Sequence, residues 1–221
     1  MIDYWRQLDI LQPDDLVRPI TIIGVGGIGS PVALALTKMG CRRLTLFDPD
    51  TIEPHNLPNQ LYRLRDVGRP KVEALADLLR EYAPVDVQPV QAAVSNQTLR
   101  GLVISAVDSM AARAQIWSAC VRFRVTVDLY LDARMGAQVG RVLAVRPVDP
   151  DDVRAYETTL YTDDLASEEP CTAQAIIYST LGIAALVARQ VARFARSEPF
   201  ELDTILDLAT LTLVTGLARV D

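Results

Sequence analysis

The chain has few cysteines, no excess of basic residues and no long hydrophobic run, and each shortage excludes a class of protein. Its three cysteines among 221 residues lie far apart and form no C-x-x-C pair. This argues against a secreted disulfide scaffold and against a four-cysteine zinc site. A net charge of -6 gives no support to a nucleic-acid surface.

Membrane insertion is not indicated either. The longest apolar run, residues 175–188, stops at Arg189 and is too short to span a bilayer. The first residues lack the basic-then-apolar layout of a signal peptide. We therefore expect a cytoplasmic protein, with neither a membrane nor a nucleic acid as its partner.

Half of the residues are hydrophobic and 23% are charged, which is the composition of an ordinary globular chain. The length favours one α/β domain over residues 1–221. Within it we expect an N-terminal arm at 1–18 and an irregular acidic crossover loop at about 147–170.

The pattern of apolar residues predicts a Rossmann-like α/β fold. A β-branched strand at 20–23, a glycine turn, a helix at 31–39 and a second strand at 43–47 form a right-handed βαβ unit. Further strands are predicted at 85–90, 102–107, 125–131, 141–145 and 202–214, and further helices at 71–82, 110–122 and 171–196. The sheet should be mostly parallel, with helices on both faces and a mixed C-terminal extension.

The glycine turn, GVGGIGS at residues 24–30, is typical of a phosphate-binding site. Gly24, Gly26 and Gly29 follow the G-x-G-x-x-G spacing between a strand and a helix, and the N–H groups at a helix N-terminus favour an anion. Asp48 ends the next strand, 48 − 29 = 19 residues after the last glycine, where its carboxylate can accept from a ribose hydroxyl. These residues alone predict an adenine nucleotide, with NAD, another nucleotide and a purely structural turn all left open.

The segment after Asp48 is more specific. It reads DPDTIEPHNLPNQ at residues 48–60 and DVGRPK at residues 66–71. These stretches resemble the Asp-x-Asp, Asn-Leu-x-Arg-Gln and Gly-x-Pro-Lys patterns of the ThiF/MoeB/HesA family, whose catalytic domain is shared with ubiquitin-activating enzymes. The resemblance extends from Trp5-Arg6-Gln7, through an aspartate that ends a strand at Asp108, to the segment around Cys171.

The resemblance implies an adenylating enzyme that uses ATP and magnesium. Asp48 would hold the ribose, Asn56 and Lys71 would contact the phosphates, and Asp108 would carry the magnesium. Arg6 resembles an N-terminal arginine that reaches across a dimer to the partner's γ-phosphate. The nucleotide-binding set implied in full is Gly24, Gly26, Gly27, Gly29, Asp48, Asp50, Asn56, Asn59, Gln60 and Lys71.

Elementary chemistry agrees with this layout. A substrate carboxylate is already ionised at neutral pH, so its attack on the α-phosphorus needs alignment and charge neutralisation rather than a general base. Cations and a hard metal held by oxygen supply that neutralisation. Arg6, Lys71 and Asp108 are suited to it, whereas hydride transfer would need none of them.

By resemblance, the substrate is the C-terminal glycine of a small ubiquitin-like or sulfur-carrier protein ending in Gly-Gly, and the enzyme is a homodimer. One alternative is a small-molecule or tRNA-linked carboxylate, although the lack of basic clusters weakens the tRNA version. Another is a non-catalytic subunit of a heterodimeric activating enzyme. Asn59 supports it, because this residue stands where the family has an arginine, unless Arg63 or Arg65 substitutes. An NAD-dependent oxidoreductase would leave both loop motifs unused.

Several residues also have simpler interpretations. Cys171 is predicted to begin a helix, where a thiolate is favoured and a thioester can form, but it can equally be a half-buried residue opposed by Glu168 and Glu169. Lys71 can be a surface lysine, and Asp108 can cap the following helix.

Arg134, in the Asp-Ala-Arg-Met segment that begins at Asp132, resembles a segment near the family's substrate site. It can also be a solvated arginine after a strand.

Overall fold

A computed structural model of the chain describes residues 2–161 and 175–216, together with the backbone of 218–219. Within this part the strands are β1 (Ile20–Ile23), β2 (Arg43–Phe47), β3 (Asp86–Val90), β4 (Gly101–Ser105), β5 (Val127–Gly136), β6 (Val139–Val145), β7 (Phe200–Glu201), β8 (Asp203–Asp207), β9 (Thr212–Thr215) and β10 (Ala218–Arg219). The α-helices are α1 (Gly29–Met39), α2 (Lys71–Tyr82), α3 (Met110–Ile116), α4 (Pro150–Glu157) and α5 (Ile177–Ala195).

The described strands form an eight-stranded sheet in the order β3-β2-β1-β4-β5-β6-β8-β9. The first five strands are parallel, with Ile22 of β1 opposite Leu46 of β2 on one side and Ile104 of β4 on the other. From β5 onward the neighbours are antiparallel. The prediction of a mostly parallel sheet with a mixed C-terminal extension is confirmed.

Helices cover both faces of the sheet, as the continuous apolar runs of the central strands require. On one face, Ile22 and Ile104 belong to a core that includes Leu36 of α1, Leu75 of α2 and Val187 of α5. The alternate residues of the same strands, such as Ile23 and Val103, face the other side of the sheet. They pack in a second core that includes Ile116 of α3 and Val153 of α4.

Most predicted boundaries agree with the structure. Helix α2 spans the predicted range, and α1 ends at Gly40, which adopts a left-handed conformation with φ 102°. Helix α1 begins at Gly29 rather than at Pro31, because proline is tolerated in a first helical turn. The helix predicted at 110–122 is α3 followed by a π-helical turn at Trp117–Val121.

The acidic segment after residue 147 is not irregular throughout, so this prediction was wrong for its first part. Helix α4 forms there because the Asp149 carboxylate accepts hydrogen bonds from the backbone N–H groups of Asp151 and Asp152, and Pro150 takes the first helical position. Acidic side chains in the first turn also complement the helix dipole. Aspartates that resemble a loop in the sequence are therefore N-terminal helix signals.

The prediction that a helix begins at Cys171 is also wrong for the long C-terminal helix. Helix α5 starts at Ile177, after Ile176 in an extended conformation (φ -112°, ψ 147°). Cys171 itself lies outside the described residues, as do Glu168 and Glu169, so its thioester role stays a prediction. None of the helices that the structure describes is long and apolar enough to cross a bilayer.

We expect Gly29→Ala to lower the free energy of unfolding by about 2 kcal/mol or more, since overpacking against a fixed backbone costs this much. A methyl group at this position would lie 1.9 Å from the Gly24 carbonyl oxygen. Urea unfolding measures the change. The control is Gly136→Ala, where an added methyl meets nothing within 4 Å. Equal losses in the two variants would contradict this account of the turn.

Candidate functional site

The candidate site lies where the sheet order reverses, between β1 and β4. Parallel strands on the two sides of such a point send their connections in opposite directions and leave a crevice at their carboxyl ends. Here the two strand ends touch: the Ala106 N–H donates to the Ile23 carbonyl at 2.8 Å. A Cβ on Gly24, whose φ is 83°, would lie 2.7 Å from the Ala106 carbonyl oxygen. Only glycine fits this position without displacement.

The glycine turn leads directly into α1 and presents backbone donors to the crevice. The residue before the helix, Ile28, has no side chain that can cap it. The N–H groups of residues 27–29 have no acceptor in the described part of the chain and can meet an anion, whereas the Ser30 N–H already donates to the Gly26 carbonyl at 3.1 Å. Inside the turn, the Ser30 hydroxyl donates to the Gly26 carbonyl at 2.7 Å. The turn therefore has the local structure of a phosphate cradle.

Asp48, at the end of β2, is almost fully buried, with 5% of its surface exposed. One carboxylate oxygen accepts from the Val25 N–H at 2.8 Å, and the other accepts from the Asp50 N–H at 2.9 Å. Burial raises the pKa of Asp48, and these two backbone hydrogen bonds oppose the rise. Asp48 thus connects the glycine turn to the loop that follows β2, beside the position expected for a ribose.

Lys71 is not a surface lysine. Only 7% of the residue is exposed, and its ammonium group lies 2.8 Å from a carboxylate oxygen of Asp50. The backbone is fixed as well, because the Lys71 N–H donates to the Asp50 carbonyl at 3.0 Å. The Asp50 side chain is largely exposed, so an incoming phosphate can compete with it for the Lys71 cation.

Two hydroxyl groups hold the loop of residues 56–62 against the glycine turn. The Ser30 hydroxyl accepts from the Leu61 N–H at 3.2 Å, and the Tyr62 hydroxyl donates to the Val25 carbonyl at 2.7 Å. Sequence reasoning missed both contacts. Ser30 lies in the quoted glycine motif, but its partner comes from a segment 31 residues away that the motif does not reveal.

Asn56, Asn59 and Gln60 differ in what they do within this loop. The Asn56 side-chain oxygen accepts from the Glu53 N–H at 2.9 Å and so shapes the turn itself. Asn59 and Gln60 lie beside Gly27 and Gly26, respectively. Their side-chain oxygens are buried and accept no hydrogen bond from the described part of the chain. Because buried polar atoms are normally paired, these two acceptors fit a ligand that donates hydrogen bonds, as ribose hydroxyls and an adenine amino group do.

Asp108 follows β4 on the other side of the crevice, and its side chain is exposed. It does not cap α3, since that role belongs to Ser109, whose hydroxyl accepts from the Ala112 N–H at 3.1 Å. The Asp108 carboxylate has no partner in the residues described. Those residues also contain no cluster of three or more ligating side chains. A single free carboxylate suits magnesium, which usually takes one or two carboxylates and completes its shell with water and phosphate oxygens.

Behind Asp108 lies a buried ionic network that sequence reasoning missed. Asp132 on β5 is fully buried, and one of its oxygens lies 2.8 Å from Nε of Arg113. The other lies 2.7 Å from Arg134 and accepts from the Tyr156 hydroxyl at 3.0 Å. Arg134 also donates to the Thr159 carbonyl at 2.8 Å. Arg134 is therefore a constrained residue rather than a solvated one.

Arg6 is not brought to the glycine turn within one chain. It lines a cavity of about 420 Å³ with Lys38 and Tyr82, in the last turns of α1 and α2. The neighbouring Gln7 amide donates to the Met39 carbonyl at 2.9 Å. An α-helix rises about 1.5 Å per residue, so the 11 residues of α1 separate Arg6 from the glycine turn by roughly 16 Å.

Neither Arg63 nor Arg65 replaces the arginine that the resemblance places at Asn59. Arg63 pairs with Asp66 at 2.8 Å and with Glu81 at 2.8 Å, and Arg65 lies 3.5 Å from Glu81. Glu81 is in the last turn of α2, whereas Lys71 and the glycine turn lie at the opposite end of that helix. The structure therefore gives no support to a substitution by Arg63 or Arg65.

Comparisons with known proteins agree with this geometry. The sequence matches the ThiF family over residues 17–207. The sulfur carrier protein ThiS adenylyltransferase of Escherichia coli (strain K12) is 27% identical over 172 residues, which cover 74% of this chain and 66% of the relative. The ubiquitin-like modifier-activating enzyme 5 of Arabidopsis thaliana is 32% identical over 130 residues, which cover 48% of this chain and 30% of the relative. The chain thus spans less than two thirds of the length of either relative.

The fold is also that of solved structures. A crystal structure of E. coli MccB with AMPCPP and MccA superposes with a TM-score of 0.74 at 19% identity, covering 94% of this chain and 68% of that chain. At this identity the likeness concerns the fold.

Proposed function

Because the chain belongs to the ThiF family, we propose that it uses ATP and magnesium to adenylate a carboxylate. One observation carries the proposal: a buried lysine, Lys71, and an exposed aspartate, Asp108, which has no partner among the described residues, come from the two sides of the glycine turn. A site for hydride transfer would need neither residue. The unpaired oxygens of Asn59 and Gln60 add acceptors for a nucleoside.

The proposed reaction forms one bond and breaks one. A substrate carboxylate oxygen bonds to the α-phosphorus of ATP, and pyrophosphate leaves with the electron pair of the broken P–O bond. Asp48 orients the ribose, the glycine turn binds the phosphates, and Lys71 neutralises charge on the departing group. Asp108 is the residue that would hold magnesium, which supplies further positive charge.

We propose that the carboxylate is the C-terminal glycine of a small ubiquitin-like or sulfur-carrier protein. The names of the two sequence relatives support this substrate class. An exposed apolar patch supports a protein partner: it contains Tyr178 and Leu181 on α5 and Leu213 on β9, each about half exposed. Leu206, opposite Leu213, packs near Gly182 of the same helix. Exposed apolar side chains on neighbouring elements are typical of protein-binding sites, whereas a small-molecule carboxylate would not need them.

A non-catalytic subunit is the second candidate, and Asn59 favours it. Asparagine carries no charge, and no arginine from residues 63–65 compensates for it. The retained Lys71 and Asp108 argue against this candidate, because a scaffold has no use for a magnesium-ATP site. Binding of ATP therefore separates the two functions.

We expect Asp108→Ala to abolish the contribution of magnesium to ATP binding, since a carboxylate–metal contact is lost. Isothermal titration of ATP, with and without magnesium, measures it. The matched control is Asp128→Ala, which removes a carboxylate at the opposite end of the parallel strands, where it pairs with Arg18 at 3.2 Å. Wild-type protein that binds no ATP in either condition would favour the scaffold and overturn adenylation.

We also propose a homodimer in which Arg6 completes the site of the partner. Arg6 is exposed and distant from the glycine turn of its own chain, which supports a role in the site of a second copy.

Mixing Arg6→Ala with Asp108→Ala tests this arrangement, because a mixed dimer has one site with both residues intact. We expect each variant alone to be inactive in pyrophosphate exchange, and the equimolar mixture to recover about a quarter of wild-type activity by statistical pairing. Light scattering confirms that dimers are present. A stable mixed dimer without recovery would show that Arg6 does not act across the interface.

A further inference from the structure

Arg113, on α3, forms hydrogen bonds with β5 and with the segment that follows β4, next to Asp108. Its guanidinium group donates to Asp132 at 2.8 Å and to the Ala133 carbonyl at 3.0 Å, both on β5. It also donates to the Val107 carbonyl at 2.5 Å. Arg113 itself is on α3 and only 5% exposed, so these contacts are inside the protein rather than on its surface.

The contact with Val107 acts directly on Asp108. The Val107 carbonyl belongs to the peptide unit that ends at the nitrogen of Asp108, and a peptide unit is planar. Fixing that oxygen therefore fixes the plane from which the Asp108 backbone continues. On the other side, the Ser109 hydroxyl accepts from the Ala112 N–H. Asp108 thus lies between two anchored neighbours although its own side chain is exposed.

The ionic network orients the Arg113 guanidinium group and gives its buried charge an oppositely charged partner. A buried guanidinium is costly unless its charge is compensated, and Asp132 provides that compensation. Asp132 is in turn held by Arg134 and Tyr156 through its other oxygen. Asp132 thus compensates part of the charge of Arg113, and because the same carboxylate also pairs with Arg134, one positive charge of the network remains.

We propose that Arg113 is a positioning residue for the metal-binding carboxylate of Asp108, acting through the Val107 peptide. The proposal rests on the proposed function, in which Asp108 holds magnesium. A lysine cannot substitute, because three acceptors in different directions match the planar fork of a guanidinium and not a single ammonium nitrogen. Loss of an outer-sphere partner of a metal ligand typically weakens metal binding by about 10- to 100-fold.

The test is the magnesium dependence of ATP binding in Arg113→Lys, measured by calorimetry over a series of magnesium concentrations. We expect the half-saturating magnesium concentration to rise about 10-fold or more, with the affinity for ATP in the absence of magnesium unchanged. Arg134→Lys is the matched control. It weakens an ion pair with the same Asp132 carboxylate, but Arg134 donates to Thr159 and not to Val107. We expect this control to lower the midpoint temperature of thermal unfolding and to leave the magnesium dependence of ATP binding unchanged.

Either of two results would overturn the proposal: an unchanged magnesium dependence in Arg113→Lys, or equal shifts in Arg113→Lys and Arg134→Lys. Should the lysine variant not fold, Arg113→Gln replaces it, and the same shift is expected and the same result overturns the proposal. The proposed function fails in a different way. In that case magnesium has no effect on ATP binding to the wild-type protein, and Asp108→Ala changes nothing.

Discussion

The close approach of two strand ends, β1 at Gly24 and β4 at Ala106, is the constraint on which the rest of the site depends. Because Gly24 has no Cβ, the Ala106 carbonyl oxygen can lie only 2.7 Å from the position that this atom would take, and the elements after both strands open onto one crevice. The first of these is the glycine turn, proposed to bind phosphate, and the second carries Asp108. A larger side chain at Gly24 would move the glycine turn away from Asp108. This one glycine therefore controls the distance between the proposed phosphate site and the proposed magnesium ligand.

Around this contact, hydrogen bonds fix the side of the site that is proposed to bind the nucleotide, whereas the side proposed to bind magnesium is exposed. Asp48, Ser30 and Tyr62 connect the glycine turn to β2 and the loop after it through hydrogen bonds of 2.7–3.2 Å. Asp108, by contrast, is exposed, and within the described residues it is the contacts of its neighbours Val107 and Ser109 that hold its backbone. Such an arrangement suits a ligand that brings its metal as a complex with phosphate, because the carboxylate remains free to meet it.

Local patterns predicted much of this structure, and long-range contacts could not be predicted. Strand β1, helix α2 and the phosphate turn follow from β-branched runs, helical spacing and glycine positions, all of which are local signals. The buried state of Lys71 depends on Asp50, 21 residues away, and the Arg113–Asp132 pair joins residues 19 apart. One local signal was misinterpreted: acidic residues after Asp149 indicate a capped helix, although their composition resembles a loop. The role expected of Arg6 rests on the family resemblance, because the contacts within one chain do not bring it to the glycine turn.

The central claim is that this crevice joins a carboxylate to the α-phosphorus of ATP. Exchange of labelled pyrophosphate into ATP tests it most directly, with a small ubiquitin-like protein ending in Gly-Gly supplied with either a free or an amidated C-terminus. The account predicts magnesium-dependent exchange with the free carboxylate and none with the amide. Exchange that continues at the same rate with the amidated protein would contradict it.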